Sequence, residues 1–155
     1  RAKSVILLVN KWDLATDKSQ TYRKEVEQMM YGHFPHLDFA PIVLVSGLTG
    51  YRVHHIYPLI IRAWTARHTT IPDAPIRAFL MSVVQEHRPA RGKGTRHPKL
   101  LGFRQIDSNP PVFELRIKHK TSLHLSYVYF LERKLREQFD FFATPIIIRL
   151  HKMKR

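Results

Sequence analysis

The sequence predicts an α/β unit built on a parallel sheet, followed by a small α+β unit of element order α-β-β-α-β. Three observations carry that expectation. "SVILLV" (4–9) and "PIVLVS" (41–46) are apolar without alternation, the pattern of strands covered on both faces. Each is followed by a helix-spaced segment, so the two strands should lie parallel, joined by a right-handed crossover. After a proline-bearing connector, "TTIPDAP" (69–75), the pattern changes to helix, two alternating runs, helix and a closing apolar run. The chain is therefore expected to divide into 1–70 and 71–155.

Taken in order, "DKSQTYRKEVEQMMYGHF" (17–34) sets Val26, Met29 and Met30 on one side of a helix and an Arg/Lys/Glu face opposite. Asp17 or Ser19 suits its start and Gly32 its end. "GYRVHHIYPLIIRAWTARH" (50–68) has helical spacing through Val53, Ile56, Ile60 and Trp64, and Pro58 predicts an interruption or kink. In the second part, "IRAFLMSVVQEHR" (76–88) is an amphipathic helix and "PARGKGTRHPK" (89–99) a basic loop. "LLGFRQI" (100–106) and "PVFELRIKH" (111–119) alternate as two strands around the turn-like "DSNPP" (107–111). "SLHLSYVYFLERKLREQFD" (122–140) is the second helix, and "TPIIIRLHK" (144–152) the last strand.

With 155 residues, 44% of them hydrophobic, the chain suits one large domain or two small ones. No apolar run approaches the roughly 20 residues of a membrane span, and nothing at the N-terminus resembles a signal peptide. Cysteine is absent, which excludes disulfides and thiolate metal sites and fits a cytoplasmic location. His33 and His36, or His54 and His55, lack a Cys or convergent carboxylate to complete a metal site, so no metal site is expected in this chain. No Ser shows a sequence-level activating partner, and no catalytic residue is assigned.

Charge is the loudest global signal. The net charge is +14; residues 1–70 hold nine basic against five acidic residues, residues 71–155 seventeen against seven. A surplus of this size favours a polyanionic partner, since neutralised phosphates release counterions. A merely soluble basic surface is the alternative.

Polar residues interrupt the first apolar run at "NKWD" (10–13), at the carboxyl end of the first expected strand. "SGLTG" (46–50) occupies the same place after the second. In parallel sheets that is where ligands bind. Asp13 there can accept two hydrogen bonds from guanine's N1–H and exocyclic amine, whereas adenine would leave the carboxylate unpaired at about 1–3 kcal/mol per unmet group. Asn10 can bond the base edge and brace the neighbouring loop, and Lys11 can lay its methylene stem along the purine face. Ser46, Gly47 and Leu48 would bring a backbone N–H to the guanine carbonyl, Gly47 allowing close approach. Alone, Asn-Lys-x-Asp is also the sequence of a turn with a solvated aspartate.

The succession "VNKWDL", "FAPIVLVSGLTGYRVHHIYPLI", "PPVFELRIKH", "SYVYFLERKLREQF" and "TPIIIRLHK" closely resembles the Der (EngA) ribosome-assembly GTPases, which carry two tandem GTPase domains and a KH-like domain. The resemblance implies a partial P-loop GTPase-type parallel sheet in 1–70, the guanine-recognition half, and a KH-like domain in 71–155. It further implies guanine recognition by Asn10, Lys11 and Asp13, with Ser46, Gly47 and Leu48 as the second base-contacting loop. GTP or GDP would then touch this chain through guanine only. No G-x-x-x-x-G-K-[ST] and no D-x-x-G occurs in the sequence, so phosphate and Mg2+ ligands are expected in missing N-terminal GTPase portions. This chain should not hydrolyse GTP alone. "SVILLV" expects neighbours on both faces, so the first part should depend on those portions for stability.

For the second part the resemblance implies ribosomal RNA or the large ribosomal subunit as partner, and no membrane. The densest basic run, Arg88, Arg91, Lys93, Arg96, Lys99 and Arg104, contains no acid and suits phosphate contact without sequence reading, or else a solvated loop. Lys118, Lys120, Arg149, Lys152, Lys154 and Arg155 would extend it. The G-x-x-G clamp of KH domains is missing, because the one match, "GLTG" (47–50), belongs to the first part. Phe103, Phe113, Tyr127, Tyr129 and Phe130 would stack bases or, at strand and helix spacing, form core. Two rival readings remain: a standalone basic RNA-binding module with a vestigial nucleotide motif, and a basic surface for an acidic protein.

Overall fold

Two short strands form where the sequence is apolar on both faces. β1 (Leu7–Val9) pairs parallel with β2 (Ile42–Leu44), Leu7 opposite Ile42 and Val9 opposite Leu44. The structure is a computed structural model describing residues 2–89 and 97–153. β1 is shorter than "SVILLV" predicts because its first residues bond elsewhere. Val5 N–H donates to the Ala143 carbonyl at 2.9 Å, and Ser4 Oγ lies 2.9 Å from Thr144 Oγ1.

Between the strands runs α1 (Gln20–His33). Ser19 caps it, accepting from the Tyr22 N–H at 3.2 Å, while Asp17 holds Ser19 by its amide and hydroxyl at 2.7 and 2.9 Å. Gly32 sits inside the last turn, not at the end; the closing bond runs from the Phe34 N–H to the Met30 carbonyl. Val26 is buried and Met30 packs with Trp12 and Leu44, but Met29 is exposed. After a short 3-10 turn, α2 spans Ile56–His68. Pro58 lies in its first turn, where the missing N–H has no intrahelical partner to lose, so the interruption expected there does not occur. The apolar face expected through Ile60 and Trp64 is also corrected: α2 buries Ala63 and Ala66, while Tyr57, Ile60, Ile61 and Trp64 stand 51–69% exposed.

The chain forms two compact units, Lys3–Ala66 with Phe142–Thr144, and Arg67–Phe141 with the chain from Pro145 on. The 70/71 division expected from the connector thus differs in detail, since Thr144 is fully buried in the first unit, its hydroxyl 3.3 Å from the Ala63 carbonyl.

The second unit has the order α3 (Asp73–Glu86), β3 (Leu100–Ser108), β4 (Pro111–Lys118), α4 (Leu125–Phe139) and β5 (Ile147–Met153). β3 and β4 are antiparallel, β5 joins β4 parallel, and β4 is central. The alternation of "PVFELRIK" decides the layering: Phe113, Leu115 and Ile117 are fully buried against Ile76, Phe79 and Val83 of α3 and Tyr127, Leu131 and Leu135 of α4. The chain is therefore mixed: a parallel α/β sheet, then a small α+β unit with its helices on one sheet face. Of the aromatics considered for base stacking, Phe103, Phe113 and Tyr127 are core, Phe130 packs against it, and Tyr129 is exposed. α3 and α4 are further tied by Lys134 Nζ on Glu86 Oε1 at 2.7 Å, and by the Tyr127 hydroxyl donating to the His87 carbonyl at 2.9 Å. Burial raises the Tyr127 pKa, and the Glu86 carboxylate raises that of Lys134.

Because Leu131 is fully buried, Leu131→Ala should lower the unfolding free energy of the second unit by about 2–5 kcal/mol in urea denaturation. Tyr129→Ala on the exposed side should stay within about 0.5 kcal/mol.

Candidate functional site

The parallel register delivers two loops side by side at the carboxyl ends of β1 and β2. The first turns at Lys11, which adopts the left-handed conformation (φ 63°), a strain of about 1–2 kcal/mol for a residue with a Cβ. That turn sends Trp12 inward. Its backbone N–H donates to the Val45 carbonyl at 3.0 Å and its ring stacks on Tyr22 at 5.8 Å. With Trp12 anchored, Asp13 is returned toward the second loop.

Two side-chain bridges join the loops. Asn10 Oδ1 accepts from the Gly47 N–H at 3.0 Å and from the Lys11 N–H at 2.8 Å. The fully buried Ser46 donates its hydroxyl to Asp13 Oδ1 and accepts from the Thr49 N–H at 3.2 Å. Asp13 Oδ2 and Asn10 Nδ2 make no hydrogen bond among the described residues. An acceptor and a donor thus remain at one rim. Asn10, Lys11, Asp13, Ser46 and Gly47 are brought together. Leu48, 87% exposed, stands out at the tip of the second loop. Gly47 carries less than its sequence context suggests: a Cβ there would meet Asn10 Oδ1 at 3.7 Å, an ordinary contact, and it is Gly50 that holds a positive φ of 75°. Thr49, which helps fix Ser46, was not singled out by the sequence; its sole signal is its place three residues after Ser46.

Of the basic run, Arg91, Lys93 and Arg96 lie outside the described residues, as do Lys154 and Arg155. Arg88 and Lys99 line a cleft of about 930 Å³ between α3 and β3, floored by Leu80, Val84 and Leu100. Arg104 lies within β3, in the strand expected over 100–106. It faces away from the helices and meets Glu114 at 3.0 Å, which also binds Arg116 at 2.8 Å. Arg116 and Glu114 were missed by the sequence reading, although the period-2 pattern of β4 places both on one face. Their hydrogen bonds, Arg116 first and Arg104 second, hold the Glu114 carboxyl below its ordinary range. Among the described residues no group of three or more His, Asp or Glu is arranged to hold a metal ion, and no helix is long and apolar enough to cross a membrane.

Residues 70–151 match the family described as KH-domain-like of EngA bacterial GTPase enzymes, C-terminal. The chain belongs to the Der (EngA) family. A GTPase Der of Chloroflexus aggregans is 38% identical over 153 residues, covering 99% of this chain and 34% of that protein. Those of Caldanaerobacter subterraneus and Streptococcus sanguinis are 33% and 32% identical over 97% and 98% of this chain. The chain spans about a third of the length of the curated relatives it matches, 34% in each of these three. Among solved structures, an Era protein of Aquifex aeolicus aligns over 95% of this chain and 54% of that one at 14% identity, with a TM-score of 0.29, too loose a likeness to define the fold.

Two outcomes are expected at these residues. Asn10→Ala should speed hydrogen exchange at the Gly47 amide about tenfold, since that N–H loses its acceptor. For Glu114, whose folded pKa is lowered, its stabilising pairs are complete above the unfolded carboxylate range and are lost as pH falls through the lower folded value. A carboxyl-resolved NMR titration should place its midpoint below 4.5, and Arg116→Ala should move it up.

Proposed function

We propose that this chain supplies the guanine-recognition loops and the KH-like docking domain of a Der-type GTP-binding ribosome-assembly protein acting in the cytoplasm. The observation carrying this reading is the pair of stapled loops, Asn10 to Gly47 and Asp13 to Ser46. Asp13 Oδ2 is free to accept from a base edge. Oδ1, with a second lone pair, can accept again beside the Ser46 hydroxyl. Asn10 Nδ2 is oriented by the two bonds on its own oxygen and offers a donor to an acceptor on the base. Lys11 and Leu48, both exposed, would flank the purine faces. Guanine or its nucleotides GTP and GDP fit this donor and acceptor set; adenine, lacking paired donors, does not.

The chemistry of the phosphates lies elsewhere. No phosphate-cradling or magnesium-holding motif occurs in the 155 residues, so hydrolysis would require GTPase portions upstream. The exposed apolar residues of α2 and Leu8 of β1 suit burial against such portions. In the second unit, Arg88, Lys99 and Arg104, with Arg91, Lys93 and Arg96 of the same run, would meet ribosomal RNA or the large subunit through phosphates.

The test is made in the protein that includes the upstream GTPase portions. Asp13→Asn should weaken GTP binding at least tenfold and shift preference toward xanthosine triphosphate, read by competition with labelled nucleotide. An unchanged guanine-to-xanthine preference would overturn the guanine reading and leave the tetrad vestigial in an RNA-binding module.

A further inference from the structure

The three-stranded sheet has one face covered by α3 and α4; on the other, Val112 is buried near the β3–β4 turn and the rows beyond it are exposed or half-buried. Strand register assigns the open face. Arg104 lies opposite Glu114, and Glu114 opposite Arg149. In the next row Gly102 lies opposite Arg116, and Arg116 opposite His151; Lys118 and Met153 follow. Arg104, Lys118, Arg149 and His151 are exposed and Arg116 is half-buried. The one acid among these rows is Glu114, with Asp107 lying further off at the β3–β4 turn, opposite Val112. Neighbouring strands stand about 4.8 Å apart and same-face residues about 6.8 Å apart along a strand. The cations therefore form a two-dimensional grid rather than a single tether.

Glu114 does more than subtract a charge. Both guanidiniums meet its Oε1 through Nε alone, at 3.0 Å from Arg104 and 2.8 Å from Arg116, and neither makes another hydrogen bond among the described residues. Each guanidinium is thus held by one nitrogen before any ligand arrives, with its two Nη groups unbonded among the described residues. A guanidinium so presented binds the paired oxygens of a phosphate through two parallel bonds. The Arg149 side chain makes no hydrogen bond or ion pair among the described residues, so its guanidinium is uncommitted. The face carries no Phe, Tyr or Trp in these rows, and His151 is its one ring, so it lacks the row of aromatics on which successive unpaired bases stack.

We infer that this open sheet face, through Arg104, Arg116 and Arg149 with Glu114 as their organiser, binds the phosphate backbone of double-stranded RNA. The inference rests on the RNA-docking reading above and deepens it. It replaces the single-strand clamp of KH domains with a backbone-reading surface on the opposite side of the sheet from the helices. Charge complementarity commits the occupant to a polyanion. A grid of cations without a row of large aromatics favours the regularly spaced phosphates of a duplex over the splayed bases of a single strand.

The test uses the full 155-residue chain and fluorescence anisotropy with a 20-base-pair RNA duplex, the 20-nucleotide single strand and a polyglutamate peptide, between 50 and 200 mM salt. The wild-type chain should bind the duplex more tightly than the single strand or the peptide, with affinity falling steeply with salt. Arg104→Ala, Arg116→Ala and Arg149→Ala together should reduce the magnitude of the log–log salt slope by about 3, about one per lost contact. Affinity at 50 mM salt should fall at least tenfold. Arg149→Glu alone, on an exposed uncommitted residue, should give a loss of several fold even where the triple variant fails to fold. Arg133→Ala, on the helix side, should leave binding unchanged. Duplex binding unaltered in both the triple variant and Arg149→Glu would overturn the assignment of this face while leaving RNA docking to the Arg88–Lys99 region. Failure of the wild-type chain to bind either RNA would overturn both readings. Peptide binding as tight as duplex binding, and equally weakened by Arg149→Glu, would overturn RNA in favour of an acidic protein.

Discussion

Parallel pairing of β1 with β2 is the constraint from which the first unit follows. Parallel neighbours about 4.8 Å apart send both of their following loops out at one edge. Side chains as short as Asn and Ser then suffice to bridge the loops. Pairing of Val9 with Leu44 also fixes phase: the chain continues to Trp12 on one strand and Val45 on the other, whose N–H and carbonyl meet at 3.0 Å. A slip of one residue would turn Trp12 outward and carry Asp13 away from Ser46. Strain at Lys11 is sustained because its neighbours over-determine it, with Asn10 accepting its N–H and Trp12 buried beyond it.

The two units differ in how much of their own apolar surface they cover. Among the described residues the second has a cluster of thirteen buried hydrophobics, ten from α3, α4, β3 and β4 and three, Ile71, Phe141 and Ile146, from the connecting segments. The first centres on Trp12, Val26 and Leu44. A unit with so small a core gains little over the conformational entropy it must overcome. Its α2 directs two alanines inward and larger side chains outward, the reverse of a self-sufficient surface helix. The two polar loops are defined instead by hydrogen bonds between close neighbours, Asn10 with Gly47 and Asp13 with Ser46.

Legibility in the sequence tracks the range of the interaction concerned. Element type was readable throughout, since apolar runs, alternation and 3.6-residue spacing are local. Ser19 was readable as a cap for the same reason. The second unit's core was readable because β4 alternates from Phe113 to Lys118, and its helix-covered face follows from that parity; the burial of Val112, on the other parity, was not. Other features were not. The length of β1 depends on Ala143 and Thr144, more than a hundred residues away. Whether Ile60 and Trp64 are buried depends on what lies opposite α2, and helical spacing says which residues share a face, not what covers it. Pro58 was misread because its effect depends on where the helix begins. In the loops, the tetrad and the Ser-Gly-Leu turn were visible as separate motifs, while the hydroxyl bond between Ser46 and Asp13 required the fold to bring them together.

Net charge is likewise a poor guide until partners are assigned. Lys134 pairs with Glu86, and Arg136 bonds the Phe141 carbonyl and Glu132, so both serve the inside of the second unit. Arg67 is taken up by Asn109 and the Ala2 carbonyl. What distinguishes Arg104 and Arg116 is that one carboxylate oxygen holds both, so neither is neutralised in full and both are oriented. Arg149, in register beside the same glutamate, makes the third cation of the group. A basic composition becomes a directional surface here because strand parity sorts Phe113, Leu115 and Ile117 to one side and their polar neighbours to the other. The alternation that builds the core therefore also lays out the charge.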